Sequence, residues 1–292
     1  LKRFIAIALL VLGLFIGSNV ATERGVYAAT TQEASLSLSN GGIYYGEVQD
    51  GKAHGKGTAT WGKYKTYTGE WKYGKRSGKG ELITTDPETE TPQVIYEGTW
   101  ANDKQNGQGT LREYFKFSKY SEEYDRATAH QGTFKDGQPV SGYTVIKDLS
   151  LDTELVFRYM NDNVMVALGL EDSNDLNVPL KAENMSLFAS LNFKKESGFL
   201  MQYTEEKKNV YQYGTYKKGP NGGTSLFNGT IELFDPYNDK ISIGIVKKAK
   251  IKSYKVVNTS EELSKYRERI IKKKLYLLDP YMSNFKKLYN QL

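Results

Sequence analysis

The 292-residue sequence contains no cysteine and only two histidines, His54 and His130. Without cysteine there is no disulfide, no thiolate metal site, no cysteine nucleophile and no lipid-anchored cysteine. Two histidines leave few partners for a catalytic or metal constellation, although histidine is the usual general base. A phosphate loop is missing as well. The glycine-rich "GKRSGKGE" ends in Gly-Lys-Gly rather than Gly-Lys-Ser/Thr, and no strand–loop–helix pattern surrounds it. Asp86, Glu88 and Glu90 lack the residue spacing of a calcium loop and read as a solvated connection. Ser283 to Lys286 fits Ser-x-x-Lys, a match short enough to arise by chance. The sequence therefore supplies no catalytic residue, no metal site and no cofactor.

A long membrane-spanning run is also lacking. The apolar stretch over residues 4–17 falls short of the ~20 residues a span needs. It follows Lys2 and Arg3, which is the layout of a signal peptide. Val26 and Ala28 stand at −3 and −1 of a cleavage site, so a signal peptide over 1–28 is expected, with a secreted or envelope-associated mature chain. An uncleaved anchor ending near Val20 is the competing reading. Residues 29–42 read as a flexible linker.

The net charge of +6 is unevenly spread. From Lys240 onward there are fourteen Lys and Arg against four Asp and Glu; the remainder is mildly acidic. A basic end suits an anionic partner, or is simply the solvated face of a charged helix.

What the chain does contain is a repeat. In "YTGEWKYGKRSGKGEL", residues 67–82, Gly69 is followed by glycines at +5, +9 and +11, with Tyr67 at −2 and Trp71 at +2. The pattern recurs as Tyr44, Gly46, Val48, Gly51, Gly55 and Gly57, and as Tyr96, Gly98, Trp100, Asp103, Gly107 and Gly109. A weaker copy holds His130, Gly132, Phe134, Gly137 and Ser141; a fainter one holds Gly214, Tyr216, Gly219, Gly223 and Ser225. Three good copies and two partial ones make a repeat array. In a strand, residues i, i+2 and i+4 share a face, so each Tyr, Gly and Trp point the same way. The central glycine leaves a slot for a ring. The +5 and +9 glycines are expected to bracket a tight turn, and the +11 glycine to begin a return strand. Each unit is then a hairpin that must stack on the next to bury its rings. His54 and His130 both fall on repeat positions, which explains them without chemistry.

The stretches "YTGEWKYGKRSGKG" and "YEGTWANDKQNGQG" closely resemble the MORN repeat (membrane occupation and recognition nexus), specifically over 44–114 and more loosely over 43–145. The resemblance implies a mainly β fold, a single-layer antiparallel meander of stacked hairpins. It also implies a binding or scaffolding role, often near membranes, with any enzymatic activity residing in separate domains. Val48 departs from the pattern where a ring is expected, as suits an edge repeat with nothing stacked before it. The paired Trp-Tyr-Tyr signature of choline-binding modules is absent.

Residues 146–258 continue the β pattern, with "LVFRYM" and "VMVALGL" flanking a turn at Asn161, Asp162 and Asn163. The end of the chain, 259–292, changes to helix. A capping box spans 259–262; Leu263, Tyr266, Ile270, Ile271, Leu275 and Leu278 make one apolar stripe. Asp279-Pro280 starts a second helix, with Tyr281, Phe285, Leu288, Tyr289 and Leu292 on one face. These two helices are expected to cap the open edge of the sheet.

Two candidate surfaces follow. Tyr67, Trp71, Tyr96, Trp100 and Phe134 form an aromatic ladder that either holds the sheet together or presents a groove of rings to a ligand. Lys272, Lys273, Lys274, Lys286 and Lys287 are the candidate contacts for an anionic surface. The functional expectation is a non-enzymatic, exported binding or scaffold module. Its partner would be a protein or an envelope component, such as anionic lipid or a wall polymer; nucleic acid is not expected. One rival is a carbohydrate- or wall-acting hydrolase with paired carboxylates within 146–258. The other is an anionic-lipid binder working through the basic helices.

Overall fold

The computed structural model describes residues 32–116, 124–149, 154–171, 185–195, 197–203, 209–218, 224–235, 240–257 and 263–292. The expected signal peptide and capping box lie outside these residues.

Among the described residues seventeen strands make one sheet. The first nine are β1 (Gln32–Ser37), β2 (Ile43–Gln49), β3 (Lys52–Thr60), β4 (Lys65–Lys72), β5 (Lys75–Thr85), β6 (Pro92–Ala101), β7 (Lys104–Phe115), β8 (Arg126–Lys135) and β9 (Gln138–Asp148). They are followed by β10 (Glu154–Met160), β11 (Val164–Glu171), β12 (Met185–Asn192), β13 (Ser197–Tyr203) and β14 (Asn209–Lys218). The last three are β15 (Thr224–Asp235), β16 (Lys240–Lys247) and β17 (Lys250–Val257). Each strand pairs antiparallel with the next along the chain. The result is the expected mainly β, single-layer meander of hairpins, and β10 to β17 belong to the same sheet as the repeats. Two helices end it, α1 (Leu263–Lys272) and α2 (Asp279–Tyr289), joined by a short 3-10 turn at Leu275–Leu277.

The turns explain the glycine offsets, with one correction. The tight turns of the repeats are two-residue loops in which both residues have positive φ: Asp50-Gly51, Tyr73-Gly74, Asn102-Asp103 and Asp136-Gly137. That geometry matches the twist of a hairpin. The return strand begins right after the +5 residue, so the +9 glycine sits inside it rather than in the turn. Gly55 and Gly78 are at φ +58° and +64°, and the Glu47 and Glu70 side chains lie across them where a Cβ would stand. The carboxylates there accept the backbone N–H of Lys56 (2.9 Å) and Lys79 (3.1 Å). In the third unit Thr99 replaces the glutamate and donates its hydroxyl to the Gln108 carbonyl at 3.1 Å.

The central glycines align as a row of register partners, from Gly46 and Gly57 through Gly69, Gly80, Gly98, Gly109 and Gly132 to Gly142. Each tyrosine ring lies across the glycine of the paired strand, and a Cβ on Gly80 would overlap the Tyr67 hydroxyl. The fainter repeat repeats this pairing, with Gly214 opposite Gly229 and Tyr216 buried.

Two expectations are corrected. Residues 29–42, read as a flexible linker, carry β1 over 32–37. It pairs with β2, setting Leu36 opposite Tyr44, so β2 is not the edge and Val48 faces Gln32 rather than open space. The helices, expected over the open edge, instead lie on a face of the sheet. There α2 packs against β8 and β9. Phe285 and Leu288 are fully buried, as expected, with Ile271 and Leu278 beside them and Ile270 half-buried; the side chain of Tyr266 is outside the description. Phe285 meets Tyr143 and Phe157 at 5.5 Å, and Tyr281 meets Tyr159 at 4.9 Å. The docking is explained by what β10 to β16 offer on that face, a sheet of Phe157, Leu168, Phe188, Phe199 and Ile241 that needs covering. The edge strand β17 keeps Ile251, Tyr254 and Val256 exposed.

Candidate functional site: a polar groove beside the glycine row

The aromatic ladder is a zipper. Tyr44 meets Trp71 edge-on at 5.1 Å, Trp71 meets Tyr67, Tyr67 meets Trp100, Trp100 meets Tyr96, and Tyr96 meets Phe134, all at 5.1–5.2 Å. His130 closes it, 5.3 Å from Phe134. Edge-to-face contact is the favoured arrangement of aromatic quadrupoles. The polar tips are satisfied internally. Tyr67 and Tyr96 donate to the carbonyls of Glu70 and Thr99 at 3.0 Å, and Trp71 and Trp100 donate to those of Gly57 and Gly80 at 3.1 Å. Burial pushes the Tyr44 and Tyr96 hydroxyls up to about 12, and raises that of Tyr67 further. Tyr67, Trp71, Tyr96, Trp100 and Phe134 are at most 5% exposed, so they are the core of the repeats and present no face to an outside ligand.

The groove lies on the opposite face. Thr68, Glu81, Glu97, Thr110, Gln131 and Tyr143 are successive register partners in one polar row. Lys79 opposite Thr99, and Gln108 opposite Thr133, make a second row on the other side of the glycines. Between them runs an open groove of about 1110 Å3 along the glycine backbone. Arg112 lines it, and Lys287 and Gln291 of the C-terminal segment close one end beside Tyr143 and Tyr159. Glu81 and Glu97 stand directly opposite each other, an arrangement that costs stability by like-charge repulsion. Carboxylates, cations, amides and hydroxyls thus share one channel, which suits a polar, chain-like partner. Sequence reasoning missed this surface, because a polar strand face looks the same whether it is concave or flat.

The five candidate lysines do not form one patch. Lys272 and Lys273 share a shallow hollow with Lys265, Glu268 and Arg269. Lys274 turns its ammonium over the Phe199 ring at 5.8 Å, and Lys287 ends the groove. Lys286 is exposed in the last turn of α2, where a cation also favours the helix dipole.

Other candidates resolve locally. Asp86 accepts the backbone N–H of Glu88 (2.8 Å) and Thr89 (3.0 Å), bonds that lower its pKa, while Glu90 pairs with Lys63. His130 shares a 2.8 Å hydrogen bond between Nδ1 and the Thr144 hydroxyl. Burial depresses its pKa, with a weaker opposing effect from the Ser141 backbone. Of the carboxylates considered for a hydrolase, Asp162 is exposed in the β10–β11 turn and Glu232 is buried on β15. Glu154 and Glu171 are register partners and Asp235 ends β15. Asp172, Asp175, Glu183, Glu196, Glu205, Glu206 and Asp239 lie outside the described residues. Among the described residues no group of three or more His, Asp or Glu converges as a metal site, and no helix is long and apolar enough to cross a membrane.

A family model described as MORN repeat matches residues 44–66, 67–86 and 96–112. Those spans hold Tyr44, Tyr67, Trp71, Tyr96 and Trp100 of the zipper, while Phe134 and His130 lie beyond them. The chain carries MORN repeats. It is also 42% identical over 87 residues to MORN repeat-containing protein 3 of Xenopus laevis, a match covering 28% of this chain and 37% of that protein. The chain thus spans little more than a third of the length of this relative. MORN repeats are generally binding or scaffold modules, which is consistent with a non-catalytic role. The glycine row extends one hairpin beyond the third matched MORN repeat, to Gly132 and Gly142 in β8 and β9.

Proposed function

We propose that this is a non-catalytic, exported MORN-repeat protein that acts as an envelope-associated binding or scaffold module. Its partner, a protein segment or a wall polymer, would lie along the groove beside the glycine row. The observation that carries this reading is the groove itself, a continuous channel lined by donors and acceptors of both charges and floored by backbone. Export rests on the apolar run over 4–17 with its Val26/Ala28 cleavage signal; N-terminal sequencing of the secreted or envelope fraction should then read Ala29-Thr30-Thr31.

Binding is tested by titrating residues 29–292 with solubilised envelope extract, purified wall polymer and phosphatidylglycerol vesicles. Thr110→Trp, which fills the groove, and Glu97→Lys, which inverts one charge in it, should each weaken capture of the extract or polymer. Lys272→Glu with Lys273→Glu should leave it unchanged. Salt-sensitive vesicle binding that is lost only in the lysine variants would replace this reading with one of anionic-lipid binding through the helices. Measurable hydrolysis of the polymer would replace it with the enzymatic one.

A further inference from the structure

The register row that carries the tyrosines does not stop at the ladder. Tyr44, Tyr67, Tyr96 and His130 occupy every second place in it, alternating with Ala59, Leu82 and Leu111. The row continues through Thr144, Arg158, Ala167, Ala189, Leu200 and Gln212. The ring places beyond His130 are therefore held by Arg158, Ala189 and Gln212. Where the rings would have lain there is a cavity of about 610 Å3, on the face opposite the polar groove and the helices. It sits between the end of the zipper and a smaller cluster of Leu191, Tyr216, Leu226 and Val246.

Its chemistry is graded. His130, Thr144 and Arg158 are consecutive in the row and make one polar end. Ala167 and Ala189, both almost fully buried, form the floor, and Met165, Leu187, Leu191 and Leu200 the apolar walls. Among the described residues of the lining Arg158 is the one that is charged, and it is exposed. The volume falls within the roughly 300–1,000 Å3 of small-molecule sites, which are mainly apolar with a few polar groups that fix orientation. An apolar trough ending in a guanidinium, with no carboxylate among the described lining residues, selects for an anion attached to a hydrocarbon. The guanidinium fork matches a carboxylate in particular, and the flexible Met160 and Met165 side chains can adjust to tail length.

We propose that this cavity binds a single-chain fatty carboxylate, its head at Arg158 and its tail over Ala167 and Ala189 toward Leu200. The site is separate from the groove and does not depend on the function assigned to it. The test is calorimetric titration of the full chain with laurate below its micelle concentration, with dodecanol and dodecyltrimethylammonium as head-group controls. Saturable binding of one laurate per chain is expected, with both controls weaker by about tenfold or more, as loss of a charge-assisted hydrogen-bonded pair implies. Arg158→Gln should weaken laurate to the level of dodecanol, and Ala189→Leu should block both ligands. Arg158 is exposed, so its variant tests the proposal even where Ala189→Leu fails to fold. Glu97→Lys, in the groove, should leave laurate binding intact. No saturable laurate binding, equal affinity for all three head groups, or an undiminished Arg158→Gln would each overturn the proposal.

Discussion

Removing Trp100 tests whether the zipper is the source of repeat stability. The side chain is 5% exposed, and truncating a buried tryptophan to alanine costs about 3–5 kcal/mol. The repeat supplies an internal comparison in Trp71. Both indoles meet two tyrosines and both donate to a glycine carbonyl at 3.1 Å. Trp100 in addition carries the Arg76 guanidinium over its ring at 4.4 Å. That guanidinium is held in place by the Asp103 carboxylate at 3.2 Å and the Asp103 carbonyl at 2.7 Å. A cation over an indole contributes about 0.5–2 kcal/mol. Trp100→Ala should therefore destabilise more than Trp71→Ala by roughly that amount. Trp100→Phe keeps the ring contacts but loses the indole donor, and should cost about 1–2 kcal/mol. Urea unfolding followed by far-ultraviolet circular dichroism and tyrosine fluorescence measures all three. A loss below about 1 kcal/mol for Trp100→Ala, or a larger loss for Trp71→Ala, would refute the reasoning.

Three further outcomes follow from the same geometry. Gly80→Ala should cost near or above the upper end of the roughly 1–3 kcal/mol of overpacking, because the Tyr67 ring must leave its slot. Gly51→Ala, in open space at φ +69°, should cost only about 1–2 kcal/mol, and equal thermal shifts for the two would contradict this account. His130 is held below its ordinary pKa of 6.5 by burial, so the unfolded chain takes up its proton first; stability should fall as pH drops below about 6.5, and less steeply in His130→Tyr. Identical pH profiles from denaturant titrations would dismiss that contribution. Deleting residues 263–292 bares Phe157, Phe188 and Phe199 and should leave an aggregating remainder, whereas a soluble, cooperatively melting one would show that the helices are dispensable.

The hairpin array was legible because its grammar is local. Tyr67, Gly69 and Trp71 alternate on one face, and a ring over a glycine imposes spacing that survives in the text of the chain. The partial copy at Gly214 was legible for the same reason, and the structure pairs it with Gly229. What escaped depends on register between distant strands. Nothing local distinguishes Gly78 in a return strand from a turn glycine; its mark is the Glu70 side chain lying across it from the neighbouring strand. The strand at 32–37 lacks the repeat signature, and its hydrophobic content is small, with Leu36 its one large aliphatic residue. The groove combines residues from Thr68 to Gln291. No single stretch of sequence contains enough of them to mark it.

The unbroken meander has a mechanical consequence. Its ladder hydrogen bonds run from strand to strand, perpendicular to every strand and along the line joining β1 to β17. Tension applied across those two edges therefore pulls on the bonds end-on and loads them singly, whereas a sheet stretched along its strands would share the load among many bonds in shear. The sheet should give way one strand at a time from an edge, at low force, until it reaches the segment that the helices bridge. Optical-trap extension should record this as a succession of small, reversible steps rather than one large rupture.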